Sequence, residues 1–253
     1  SPSCSRLATP GNATAGPSPA RGCPGDPGSA PPESESLMPV TPSYAQLSRA
    51  ELAAFIPRGA RSVLDVGCAG GGFATTVRTV LGPEARLVGI EATPTAADQA
   101  RASGYDEVHE GLFPEATAHL QETFDLVSFN DVLEHMVDPW EALRQAHRLL
   151  SPEGVVLASI PNIAYLPALR DIALRGRFDY TDTGGIFDRT HLRFFTRATA
   201  VERFESTGYA VSSCQGIWDI LQVGHYRALR PLARLVGDRR WLNFVVVATP
   251  RVL

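Results

Sequence analysis

Between Val63 and Phe73 an apolar, strand-like run, Val63-Leu64-Asp65-Val66, breaks into Gly67-Cys68-Ala69-Gly70-Gly71-Gly72-Phe73. Glycines this dense, directly after a buried-type strand, let the backbone adopt positive φ or come close to a ligand. The helical apolar pattern that follows, over residues 73–81, turns a helix N-terminus toward the same place. A glycine turn alone says little. It gains force from Glu91, 24 residues after Gly67, at the end of a second strand predicted over residues 86–90. An acid in that position accepts two hydrogen bonds from a ribose diol. Strand, turn, helix, strand and acid in this order form a nucleoside-binding arrangement.

The same rhythm continues along the chain. A helix is predicted over residues 95–102, a strand over 105–109, and a further strand over 124–129. Asp138-Pro139-Trp140-Glu141 opens a helix running to Leu150, with Asp138 as N-cap, Pro139 at the first helical position and Glu141 closing a capping box. Ser151-Pro152-Glu153-Gly154 reads as a tight turn before a strand over 155–160. Thr196 is placed to cap a helix that ends at Gly208. Strands are predicted over 209–214 and 243–248, with a helical stretch between them. Strands separated by helices imply a mostly parallel sheet covered on both faces.

A chain of 253 residues holds one sizeable α/β domain, and two would be cramped. Residues 1–42 carry half of the 20 prolines, with Gly, Ser, Ala and Thr making up most of the rest. Such a stretch has too little apolar surface to offset its ordering entropy, so a disordered tail is expected there and the domain over residues 43–253. Met38 is a candidate natural start. The formal charge of -4 argues against a nucleic-acid partner that needs a broad basic field. No apolar run approaches the length of a membrane span. Cys4, Cys23, Cys68 and Cys214 are scattered without metal-ligand spacing, and no secretory leader is visible, which together suggest the cytoplasm.

A nicotinamide dinucleotide would want a second glycine where Ala69 stands, at the point of closest approach to its pyrophosphate. A ligand without pyrophosphate tolerates that methyl better. The segment from Asp65 to Gly71 resembles the first motif of class I S-adenosylmethionine-dependent methyltransferases, and Glu91 resembles their ribose-binding acid. Phe124 to His135 is similar to the fourth-strand motif of the branch that includes ubiquinone-type O-methyltransferases and glycan-associated methyltransferases. Leu150-Ser151-Pro152-Glu153-Gly154 resembles the turn before their fifth strand. The likeness spans roughly residues 62–208. It implies a Rossmann-like three-layer sandwich with a seven-stranded, mostly parallel sheet whose last strand is antiparallel. It also implies S-adenosyl-L-methionine as cofactor and S-adenosyl-L-homocysteine as product. The contacts it implies are Asp65, Gly67, Cys68, Ala69, Gly71, Phe73, Glu91, Leu112, Phe113 and Asn130. The third strand lacks the acid that such enzymes commonly set beside the adenine, and reads Glu110-Gly111-Leu112-Phe113 instead.

Methyl transfer is an in-line displacement, so the protein mainly aligns the acceptor and excludes water, and a hydroxyl acceptor also needs a base. The end of the fourth strand gathers Asn130, Asp131, Glu134 and His135. His135 is a candidate base or acceptor contact, or a structural histidine beneath the next helix. Glu134 and His135 with a further acid have donors for a divalent ion, but no metal spacing is visible and no metal is expected. Residues 176–196 form a polar, aromatic, glycine-containing insert suited to an acceptor loop. In it His191 is the preferred general base, with Asp188 or Asp182 to orient it and Arg189 or Arg193 to hold an acidic group on the acceptor. The alternative is a structural network of Asp188, Arg189 and His191. Residues 217–240 alternate apolar side chains with arginines around Pro231; such a segment packs as a helix with a basic face, covers an acceptor pocket, or lies on a membrane surface. Trp218 within it is a candidate acceptor contact. The expected reaction is methylation of a small-molecule hydroxyl, a phenol or a sugar; an amine acceptor and a non-catalytic cofactor-binding protein remain the other readings. The sequence says nothing of oligomeric state.

Overall fold

The computed structural model describes residues 47–182 and 184–251, so the tail expected over residues 1–42 lies outside the described residues. Seven strands form one sheet in the order β3-β2-β1-β4-β5-β7-β6. They are β1 Ser62–Val66, β2 Arg86–Glu91, β3 Glu107–Glu110, β4 Phe124–Asn130, β5 Leu150–Pro161, β6 Tyr209–Asp219 and β7 Trp241–Pro250. The first five pair in parallel, and β7 runs antiparallel to both β5 and β6. The helices are α1 Ala74–Leu81, α2 Pro94–Ala102, α3 Pro139–Leu149, α4 Leu166–Arg175, α5 Arg197–Ser206 and the single turn α6 Ala233–Val236.

Alternation along the strands sends side chains to two separate cores. Val63, Leu87, Leu126 and Leu157 pack with Ala74 and Val77 of α1 and Ala97 and Ala100 of α2. Leu64, Val66, Val127, Phe129, Val156 and Ala158 pack with Leu143 and Ala146 of α3 and Ala200 and Phe204 of α5. Helices therefore cover both faces of a central sheet, which is a three-layer sandwich. The strand order reverses between β1 and β4, and a crevice opens there outside the carboxyl ends of the strands.

Several boundaries differ from the sequence expectation. Residues 151–154 are not a free turn but part of β5, with a register shift against β4. At Gly154 a Cβ would stand 2.8 Å from the Phe124 carbonyl, so the glycine admits close backbone approach. Asp138 caps α3 by accepting from the Glu141 amide at 2.9 Å, while the Glu141 carboxylate turns to Arg144 and leaves the reciprocal half of the capping box unmade. Residues 217–240 do not make one amphipathic helix. β6 continues through Trp218 to Asp219, and short 3-10 turns and α6 follow, with Pro231 inside the longest turn. There Ile220, Leu221 and Tyr226 form a small buried cluster against Tyr165 and Leu166 at the start of α4. No helix among the described residues is long and apolar enough to cross a membrane.

Candidate active site

The glycine turn satisfies most of its own amides. Gly67 and Cys68 both donate to the Ile90 carbonyl, at 2.8 and 3.0 Å, and Gly71 donates to Cys68. The first amides of α1, from Ala74 and Thr75, bond back to Gly71 and Gly72. The turn is therefore shaped for close approach, not as a cradle of free N–H groups for phosphate, which argues against a pyrophosphate ligand. Gly67 has φ 71°, and a Cβ there would lie 2.6 Å from Val132 Cγ2. Gly71 has φ 87° and abuts Ser103 and Ala100, so it fits the turn onto α2. Cys68 is buried behind the turn, against the space left by Gly89, and burial holds its thiol far above the usual range.

Asp65, Gly67, Cys68, Ala69, Phe73 and Asn130 line one cleft together with Leu47, Arg49 and Gly72. Of the expected contacts, Gly71, Glu91, Leu112 and Phe113 do not line it. Asp65 sits in β1 between Gly89 and Ser128 on the neighbouring strands. Its buried carboxylate accepts from Tyr105 and Ser128 at 2.6 Å each and from Asn130 at 3.1 Å. Desolvation outweighs these bonds and pushes its pKa up to about 6. Glu91 grips the turn: one oxygen accepts from the Ala69 amide at 2.9 Å and the other from the Thr93 amide at 2.8 Å. Each oxygen keeps a lone pair for a further donor. Phe113 stacks edge-on against Phe129 of β4, and Leu112 stands exposed beside it.

Arg49 is the residue that sequence reading missed. Its side chain is 6 % exposed, in the left-handed region at φ 55°. It donates to Asp131 at 2.9 Å, to Ser159 at 2.8 Å and to Glu51 at 2.8 Å, and lies 5.6 Å beneath the Trp218 ring. Asn243 of β7 also bonds Asp131, at 2.8 Å. Trp218 thus faces Arg49 and stays partly exposed. Four non-glycine residues have positive φ among those described: Arg49, Ala69, Asp131 and Trp218. Arg49 and Ala69 line the cleft, and Asp131 and Trp218 hold Arg49.

Just past β4, Glu134, His135 and His191 meet, with one donor atom from each within 4.8 Å of the others. These three could hold a divalent ion, and where the sequence offered Glu134 and His135 with a further acid, the third donor is a histidine from the distant loop. That loop is pinned by the Glu134 carbonyl, which accepts from the Leu192 and Arg193 amides. His191 Nδ1 lies 3.0 Å from the Ile186 carbonyl, and His135 Nδ1 lies 3.2 Å from the Thr190 carbonyl. Carbonyls only accept, so both Nδ1 atoms carry hydrogen and both Nε2 atoms keep a lone pair. The two rings stand edge to face at 4.7 Å. Burial, and then its His191 neighbour, lowers the His135 pKa. Burial, and then Asp131, raises that of Glu134.

The expected partners of His191 are arranged differently. Asp188 accepts from the Thr190 hydroxyl, which in turn meets His135 Nδ1 at 3.0 Å, so Asp188 orients His135 instead. Asp182 pairs with Arg189 at 2.8 Å in solvent. Arg193 reaches back to the Val137 carbonyl and over Trp140.

The doubly wound sheet and the cleft at its switch point, lined by Asp65 and the glycine turn, make a Rossmann-like domain. A family model described as a methyltransferase domain matches residues 42–213, and the chain belongs to that family. It is 38% identical over 104 residues to the ubiquinone biosynthesis O-methyltransferase of Ruegeria pomeroyi, covering 40% of this chain and 41% of the relative. The same enzyme from Pseudomonas entomophila is 34% identical over 115 residues, covering 43% and 49%. The chain thus spans about half or less of the length of these curated relatives. Among solved structures, an Archaeoglobus fulgidus S-adenosylmethionine-dependent methyltransferase has a TM-score of 0.58 at 18% identity, covering 79% of this chain and 91% of its own. An O-methyltransferase from neocarzinostatin biosynthesis, solved with S-adenosyl-L-homocysteine and 1,4-dihydroxy-2-naphthoic acid, gives 0.52 at 18%, covering 79% and 52%. The domain is a class I methyltransferase whose cofactor is S-adenosylmethionine.

Proposed function

We propose that this chain methylates a hydroxyl group of a small molecule, a phenol or a sugar, in the cytoplasm. The observation that carries this reading is the His191–His135–Glu134 cluster, whose Glu134 and His135 lie four and five residues beyond Asn130 of the cleft, at the end of β4. A hydroxyl must lose its proton as it attacks the methyl, and imidazole nitrogens with free lone pairs beside a buried carboxyl are suited to take it. A neutral amine would need no such cluster. The relatives named as O-methyltransferases agree with it.

In this reading the cofactor's methionine end lies in the narrow cleft, where Asp65 matches its ammonium and Arg49 its carboxylate. Glu91 takes the ribose hydroxyls, and Phe113 with Leu112 flanks the adenine. The acceptor ring rests against the loop, where Phe178 stands 5.4 Å from Tyr180 and 6.0 Å from Phe194, and Phe194 stands 6.5 Å from His191. These partly exposed rings offer π-faces to a phenol or the apolar face of a sugar. The test is His191→Ala assayed with hydroxyl and amine acceptors. Turnover on hydroxyl acceptors should fall by about 100-fold or more, the usual scale of a proton-transfer contribution, with affinity for S-adenosyl-L-homocysteine unchanged. Undiminished methylation of a hydroxyl, or activity on amines alone, would refute the reading.

A further inference from the structure

We infer that Glu134, His135 and His191 bind a first-row transition-metal dication, zinc being the best match, and that this ion latches the 176–195 loop to the end of β4. The inference stands on the donors alone and holds whichever acceptor is methylated.

Glu134 is the first reason. Its side chain is 1 % exposed, and neither carboxylate oxygen has a hydrogen-bond partner among the described residues. A buried carboxylate left without a partner is costly, and chains rarely keep one unless something else satisfies it. A cation would. Asp131, the nearest other acid on the same segment, does not do this work, because Arg49, Ser159 and Asn243 hold its carboxylate.

The histidines are the second reason. Each directs Nδ1–H at a main-chain carbonyl, Ile186 for His191 and Thr190 for His135, which leaves Nε2 as the donor atom. That pattern, an imidazole fixed through its far nitrogen, is how proteins orient metal-binding histidines. For His135 the support reaches one step further, through the Thr190 hydroxyl to Asp188. Two imidazoles and one carboxylate favour zinc and its neighbours over the all-oxygen ions, and three protein donors leave a coordination position open. The atoms stand within 4.8 Å of one another. Closing onto an ion about 2.1 Å from each asks them to draw in by about an ångström.

The latch follows from where the donors reside. Glu134 and His135 belong to the segment just after β4, whereas His191 belongs to the loop. The loop already leans on Glu134 through two amides to its carbonyl. An ion between the side chains would add a bond that neither segment can make alone. It would also occupy His191 Nε2, the lone pair that serves as base in the proposed reaction, so the ion-bound, latched state and the proton-accepting state of His191 exclude each other.

The experiment is calorimetric titration of the full chain, stripped with a chelator, with zinc chloride, manganese chloride and magnesium chloride in turn. One zinc ion per chain should bind, more tightly than magnesium. His191→Ala and Glu134→Gln should each weaken zinc by 10-fold or more, the usual effect of disturbing a metal's ligand shell. His119→Ala, in a second histidine pair with His109 at 3.1 Å, should leave zinc affinity as it was. Zinc should also slow proteolytic cleavage within residues 176–195 in the wild type and not in His191→Ala. If Glu134→Gln fails to fold, as its melting curve would show, His191→Ala decides alone. Absence of saturable binding, or zinc affinity untouched by His191→Ala, would overturn the site. Since no turnover enters these measurements, they fail or succeed apart from the proposed reaction.

Discussion

In the proposed reading Glu91 carries two tasks in one carboxylate, holding the glycine turn and taking the ribose. It accepts amides from Ala69 and Thr93, which fixes its rotamer before any ribose arrives. Glu91→Ala therefore removes both the ribose acceptor and a clamp on the glycine turn. Affinity for S-adenosylmethionine should fall by about 10-fold or more in calorimetry, since charge-assisted hydrogen bonds contribute about 1.5–3 kcal/mol each. An unchanged affinity would place the ribose elsewhere. Asp65 and Glu91 were legible because local sequence determines where they fall: each ends a short buried strand, and glycines mark the turn between them. Arg49 was not legible. Its importance comes from Asp131, Ser159 and Trp218, all far along the chain, and nothing beside it in sequence announces a buried guanidinium.

Among the elements, β1, β2 and β4 fell where apolar runs put them, because each is buried on both faces and reads as nearly continuous hydrophobic sequence, whereas β3 is Glu-Val-His-Glu with only Val108 buried and starts two residues later than expected. The stretch after β6, read as helical with Pro231 interrupting any single helix, folds as 3-10 turns and the short α6. Its alternation of arginines with leucines suits several short turns as well as one helix, and Pro231 with Gly224 and Gly237 favours the turns. The loop stood out by its composition, but what its histidine would meet did not, since His191 is brought to Glu134 only by the fold of α4 and the loop. Helix α3 offers a check on how separable the elements are. Asp138→Ala deletes the N-cap bond to Glu141 and should cost about 1 kcal/mol in chemical denaturation. Cofactor affinity should not move, because α3 packs on the sheet face and takes no part in the cleft. A change in affinity would mean that the Trp140 stack under Arg193 and Arg203 passes the disturbance on to the loop.

At the scale of the whole molecule, Asp65 couples the cleft to the stability of the sheet. Its folded pKa, about 6, stands above its ordinary value of 3.8 because it is buried. A raised carboxyl favours folding while it keeps its proton; that contribution is complete below about pH 4 and disappears as pH climbs through 6. Asp65→Asn has no proton to lose. Between about pH 4 and pH 7.5 the wild type should therefore lose stability relative to the variant, by at most about 3 kcal/mol. Paired melting curves across that range would show it, and a gap that stays constant with pH would mean that Asp65 is already ionised throughout.

The four left-handed residues around the cleft have a consequence for how such a domain can change over generations. Arg49, Ala69, Asp131 and Trp218 each hold a backbone geometry that glycine would adopt with less strain, by about 1 kcal/mol. Replacement by glycine at Arg49, Asp131 or Trp218 relaxes the chain and, in the same step, removes either Arg49 from the wall of the cleft or one of the side chains that hold it there. Selection for robustness alone would erode this corner of the protein, whereas selection for its ligand keeps it. The residues that look least comfortable in the fold are thus the ones whose retention in related sequences would report most directly on use.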